Sequence, residues 1–131
     1  MNEANSGSVV ARVYTASEAI PIEGATVVVT QRSPEGRVEL LGLRTSDRSG
    51  KTEPVYVRTP GRNVSQSPSE GVGFSTVDVT ADHPDFQRII VENVQVFPGV
   101  VSLQDFAMIP LEEYPPQWGQ TEVFNVTPQG L

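Results

Sequence analysis

Between Val9 and Pro110 the chain is a succession of short β-branched runs: SVVARVYT, ATVVVT, VELLGLRT, TEPVYVR, GFSTVDVT, QRIIVENVQV and VVSLQDFAMI. Gly, Pro, Asn and Asp break them apart. Runs of this kind at near-regular spacing predict an all-β sandwich or barrel, and no segment sustains a 3.6-residue period. The reading is a seven-stranded antiparallel β-sandwich with Greek-key, Ig-like architecture. A length of 131 residues suits one domain without a second core. With 11 Gly, 11 Pro and only 19% charged residues, the composition is globular and rich in turns.

The turns can be placed individually. Val9, Ala11 and Val13 alternate with Arg12 and Tyr14, the period of a half-buried strand. Ala19 to Gly24 is a connector into Ala25 to Thr30, whose unbroken Val run predicts a strand covered on both faces. Ser33-Pro34-Glu35-Gly36 predicts a hairpin turn. In Ser46 to Lys51, Asp47 is placed to bond its own following backbone and Gly50 to accept a positive φ. Pro54 marks an edge or a strand start, because it cannot donate to a ladder. Thr59 to Gly73 is a long loop, of the sort that is usually functional or mobile. The apolar phase slips at Glu92-Asn93, which predicts a bulge, and Phe97-Pro98-Gly99 predicts a tight hairpin into the last strand. These boundaries give a disordered start at Met1 to Ser6, the sandwich at Gly7 to Leu111, and a Pro-rich linker or docking tail at Glu112 to Leu131.

The order Val9-Val10-Ala11-Arg12-Val13, Ile20-Pro21-Ile22-Glu23-Gly24-Ala25-Thr26-Val27 and Thr45-Ser46-Asp47-Arg48-Ser49-Gly50 resembles the carboxypeptidase regulatory-like, or transthyretin-like, domain family. One extra residue separates Thr45 from Asp47 relative to the family's turn. Thr76 to Ala81, Val91 to Val100 and Leu103 to Leu111 look like the transthyretin-like domain of spore cortex-lytic and related peptidoglycan-binding proteins of spore-forming bacteria. The resemblance implies a transthyretin (prealbumin)-like sandwich acting as an accessory domain beside a catalytic or wall-binding domain, in a spore or cell-wall setting. It carries over no catalytic residues. Its motifs are turn and core signatures, which specify a fold and leave activity open.

The chemistry of the chain supports a module and not an enzyme. There is no Cys and a single His, so His83 is the one base available to a Ser or Thr nucleophile, and its place before Pro84 reads as a polar cap on a turn. Hydroxyisourate hydrolases, which share the transthyretin-like fold, use several His, and this chain has one. Asp82, His83 and Asp85 are crowded on a Pro-bearing turn that does not gather three metal ligands, and Asp47 to Gly50 lacks the alternating carboxylates of a calcium loop. Pilus shaft domains lock with a buried strand Lys, whereas Lys51, the only Lys, lies in a turn. The 16 acidic residues offer many carboxylate pairs but no glycosidase motif. No catalytic residue, cofactor or metal is therefore expected.

The formal charge of -7 repels phosphate backbones and argues against nucleic acid. The start MNEANSGS has no basic and apolar signal pattern, and no stretch approaches the ~20 apolar residues that span a bilayer. Neither a signal peptide nor a membrane partner is expected, and localisation stays open. Tyr14 and Tyr56 sit opposite the Val faces of their strands, and Tyr114 and Trp118 lie in the tail. These four aromatics form the candidate interaction surface. The expected partner is an adjacent domain of a full-length protein; the alternative is a glycan-binding module that contacts peptidoglycan through loops and exposed aromatics.

Overall fold

Valine and threonine branch at Cβ, favour extended backbone and pack well on a pleated surface. The computed structural model describes residues 5–60 and 73–111, and the backbone of a strand at Thr121–Asn125. Its strands are β1 (Ser6–Thr15), β2 (Thr26–Arg32), β3 (Val38–Thr45), β4 (Val55–Arg58), β5 (Ser75–His83), β6 (Phe86–Val96), β7 (Val101–Met108) and β8 (Thr121–Asn125). They form a three-stranded sheet, β4-β1-β7, and a five-stranded sheet, β3-β2-β5-β6-β8. The two sheets make an all-β sandwich.

The core follows from the period of two. Val9, Ala11 and Val13 on β1, Val55 and Val57 on β4, Val27 and Val29 on β2, and Val77, Val79 and Ala81 on β5 are all buried. Phe106 and Met108 on β7 are the largest side chains among them. The seven strands read from the sequence are β1 to β7. Pro54 immediately precedes β4, at the edge of its sheet, as its missing N–H requires.

Several turns form as expected. The Ser33–Gly36 turn joins β2 to β3 as an antiparallel hairpin, with Gly36 N donating to Ser33 O at 2.8 Å. Asp47 Oδ1 accepts from Ser49 N at 2.8 Å and from Lys51 N at 3.0 Å, and Gly50 takes φ 80°. The bulge at Glu92-Asn93 is present: Val77 pairs with Val94 and Val79 with Val91, so two residues of β6 stand opposite Asp78 alone. Asn93 adopts φ 63°, and its N–H is bonded by Asp78 Oδ1 at 3.1 Å.

Other expectations are corrected. The pairing is not wholly antiparallel, because β1 runs parallel to β7 and β6 parallel to β8. The Phe97-Pro98-Gly99 segment is a crossing between sheets and not a hairpin: β6 belongs to the five-stranded sheet and β7 to the three-stranded one. The crossing lets the inward faces of both strands meet across the core, and it delivers β7 alongside β1 in the same direction. Ser6 is buried and paired with Arg58 at the start of β1, so the last residue of the stretch assigned to a disordered start belongs to a strand. Within the tail, Thr121–Asn125 adds β8 to the edge of β6. Val28 is only half-buried, so β2 is covered fully on one face. The long loop falls almost entirely at 61–72, outside the described residues.

Side-chain hydroxyls complete the hydrogen bonding where the chain changes sheet. Ser46 is buried; its Oγ accepts from Ala25 N at 2.9 Å and donates to Ile22 O at 2.7 Å. Removing it strands two buried backbone groups. Ser46→Ala is expected to cost about 1–3 kcal/mol, measured by urea unfolding, and a change below a few tenths would show that solvent replaces both bonds.

Candidate functional site

On β7 the usual hydrophobic pattern is inverted. Phe106 and Met108 are fully buried, and because side chains alternate along a strand they turn Ser102 and Gln104 inward as well. Val101 and Leu103 therefore face out, 62% and 51% exposed. Ser102 Oγ donates to Gln95 O at 3.0 Å, tying that side of β7 to β6 in the other sheet.

The register builds the rest of this outer face. Ser8 of β1 lies between Tyr56 of β4 and Val101 of β7, and Val10 lies beside Leu103. Tyr56 is 61% exposed. Ser8 itself is buried between Tyr56 and Val101. Val100, 46% exposed, precedes Val101 at one end, and at the crossing between sheets Phe97 packs on Phe74 with ring centroids 5.2 Å apart. At the other end, Arg12 Nε and Nη2 donate to the two carboxylate oxygens of Asp105 at 2.8 and 2.9 Å. That hydrogen bond, with the neighbouring negative charge, raises the Arg12 pKa further above its ordinary value. The face is thus an apolar half bounded by a fixed ion pair.

Of the four candidate aromatics, the two in the described residues, Tyr14 and Tyr56, do not adjoin each other. Tyr14 and Tyr56 share the outer face, but Tyr56 pairs with Ser8, six positions from Tyr14 along β1. At the rise of a strand this separates them by about 20 Å. Tyr114 and Trp118 lie outside the described residues. Sequence reading missed Val10, Val101 and Leu103, although a signal was available. In VSLQDFAM the pair Val101 and Leu103 has the opposite parity to Phe106 and Met108, so one pair had to face out.

The titratable groups singled out earlier are engaged in turns. His83 Nδ1 accepts from Asp85 N at 3.1 Å, its ring stands edge-on to Phe86, and Asp82 lies 3.6 Å from Arg88. Among the described residues no three His, Cys, Asp or Glu side chains converge as metal ligands. Lys51 is exposed beside β1, at an isolated bridge to Arg12. A polar recess of about 110 Å³ at the β5–β6 bulge is lined by Arg32, Thr76, Val77, Asp78, Glu92 and Asn93. Asp78 is already committed there, to Asn93 N and to Arg32 at 3.9 Å.

No family model matches this chain. No curated protein matches it either. Among solved structures it is similar to a catechol 1,2-dioxygenase variant from Acinetobacter radioresistens, with a TM-score of 0.54 at 13% identity over 86% of this chain and 54% of that one. A 3-chlorocatechol 1,2-dioxygenase from Rhodococcus opacus aligns with a TM-score of 0.51 at 8% identity, over 82% of this chain and 61% of that one. An intradiol ring-cleavage dioxygenase from Tetranychus urticae gives a TM-score of 0.50 at 12% identity, covering 82% of each chain. This chain spans between about half and three-fifths of the two catechol enzymes. At such identities the likeness shows a shared β-sandwich scaffold and nothing of the reaction.

Proposed function

We propose that this chain is a non-catalytic accessory module that seats a neighbouring protein domain on the outer face of its three-stranded sheet. The observation that carries the reading is the inverted pattern of β7. Val101 and Leu103 stand in water beside Tyr56 and Val10, while Ser102 and Gln104 face inward. A contiguous apolar face with a polar margin is a recognised mark of a docking surface. The Arg12–Asp105 pair gives that margin a fixed polarity, which sets orientation more than affinity.

A spore or cell-wall setting for the partner rests on the sequence resemblance alone. Direct peptidoglycan binding is supported by Tyr56, but Tyr14, the other tyrosine among the described residues, lies about 20 Å away along the sheet, whereas sugar platforms usually present several rings together. Assays for muramidase, amidase, ring hydrolysis and catechol ring cleavage are expected to read blank.

A photo-reactive residue placed at Val101 in the full-length protein tests the docking reading. It should cross-link to one discrete segment of a neighbouring domain, and the combination Tyr56→Ala with Leu103→Lys should abolish the product. Because both residues are exposed, that double substitution should change stability by no more than about 1 kcal/mol. Cross-linking no stronger than from a photo-reactive residue at Glu23, or co-sedimentation of the isolated chain with purified peptidoglycan, would defeat the proposal.

A further inference from the structure

Strand β3 lies at the margin of the five-stranded sheet and presents Val38, Leu40 and Leu43 to solvent, 59%, 61% and 52% exposed. Edge strands of soluble proteins are normally kept short or charged because their free backbone groups invite pairing. This one is eight residues long and carries three exposed aliphatic side chains.

We propose that β3 pairs antiparallel with β3 of a second copy of this chain, joining two five-stranded sheets about a two-fold axis between Leu41 and Gly42. The strand is complementary to itself in that register. Leu40 falls opposite Leu43 of the second copy, Val38 opposite Thr45, and Glu39 opposite Arg44. The pairs are apolar with apolar, aliphatic with β-branched, and negative with positive, the combinations that stabilise neighbouring strands. A two-fold axis generates every pair twice, as an isologous contact requires.

The bulge makes the register possible. Each of these pairs joins an even-numbered to an odd-numbered residue, and in an unbroken strand those lie on opposite faces of the sheet. In β3 the alternation is broken: Leu40 pairs with Thr30 and Gly42 with Val29, leaving Leu41 as the extra residue. Val38, Leu40, Leu43 and Thr45 consequently stand opposite Arg32, Thr30, Val28 and Thr26, alternate residues of β2 on its outer face. All members of each proposed pair then share a face. The extra residue sits beside the proposed axis, where both copies contribute it equally.

Arg44 is compatible with this arrangement. Its Nε and Nη2 donate to Pro54 O at 3.2 and 3.1 Å, and its Nη1 to Leu43 O at 3.0 Å. A guanidinium has five N–H donors, which leaves two for the Glu39 carboxylate of the second copy, and a carbonyl has two lone pairs, so Leu43 O can still accept across the new edge. At the opposite margin β8 covers the edge of β6.

This surface is separate from the three-stranded sheet, so the inference stands or falls independently of the docking proposal. Sedimentation equilibrium of the 131-residue chain, from low micromolar to near-millimolar concentration, should follow a monomer–dimer equilibrium. Leu40→Lys, on an exposed position that leaves the fold intact, should weaken the dimer at least about tenfold. Glu39→Arg alone and Arg44→Glu alone set like charges opposite each other and should each be monomeric, whereas mixing the two should restore a dimer. Tyr56→Ala with Leu103→Lys should leave the dimer unchanged. A chain that is monomeric throughout the range, or a dimer that ignores Leu40→Lys, would overturn the inference.

Discussion

Gly50→Ala should destabilise the sandwich by about 3 kcal/mol, through two effects that act together. The first is conformational: Gly50 has φ 80°, and a Cβ in the left-handed region costs roughly 1–2 kcal/mol. The second is steric. A Cβ built at Gly50 would press into the carbonyl oxygen of Val13 and lie 3.2 Å from Pro21 Cβ and 3.4 Å from Ile22 N. The Val13 carbonyl cannot retreat cheaply, because it accepts from Ile22 N at 3.0 Å while Val13 N donates to Gly50 O at 2.7 Å. The bond to Gly50 O fixes the β3–β4 connection to β1, and the bond from Ile22 N fixes the β1–β2 connection to the same residue. Gly36→Ala provides the comparison: φ is 89° there, but nothing lies within 4 Å of the added carbon, so the conformational cost of about 1–2 kcal/mol stands alone. Chemical unfolding of both variants should separate them by at least 1 kcal/mol, in the sense expected for a backbone clash. Equal losses would show that the approach of Gly50 to β1 is relaxed at little cost.

Phe106→Ala should remove a comparable amount, about 3–5 kcal/mol. Phe106 is fully buried on β7 and pairs in register with Val13 of β1. It is one of the largest side chains in a core made mostly of Val and Ala. Truncating it removes more buried volume than any Val in the core would, which is what sets the size of the expected loss. Leu103→Ala on the same strand removes an aliphatic group from water and should fall within about 0.5 kcal/mol of the parent. The contrast tests the facing of β7 directly. A loss at Leu103 approaching that at Phe106 would mean that β7 is turned over and that the exposed apolar face of the three-stranded sheet does not exist.

Much of the architecture was legible because it rests on local chemistry. The alternation of Val9, Ala11 and Val13 with Arg12 and Tyr14 is a direct consequence of the strand repeat. The Asp47–Gly50 turn is written in a residue that can bond its own backbone and one that can take positive φ. The bulge at Glu92-Asn93 showed as a phase slip for the same reason: an extra residue moves every later side chain to the other face. The bulge at Leu41 was not read, because Leu40, Leu41 and Leu43 are all apolar and a slip within an apolar run leaves no trace. β8 was missed because TEVFN is short and follows a Pro-rich stretch, where nothing local distinguishes a strand from an extended tail.

The amino-acid order therefore determined strands β1 to β7, most turns and the faces of β1, β4 and β5, since each depends on residues within a few positions of one another. The tertiary structure decided which sheet each strand joins, that Phe97-Pro98-Gly99 crosses between sheets, that β7 runs parallel to β1, and that Tyr14 and Tyr56 lie far apart on one face. It also settled the facing of β7, where Phe106 and Met108 competed with Val101 and Leu103 for the core. That contest is won by the pair that stands beside Val13 on the inner face and meets the five-stranded sheet across the sandwich, a long-range packing condition that no local pattern encodes.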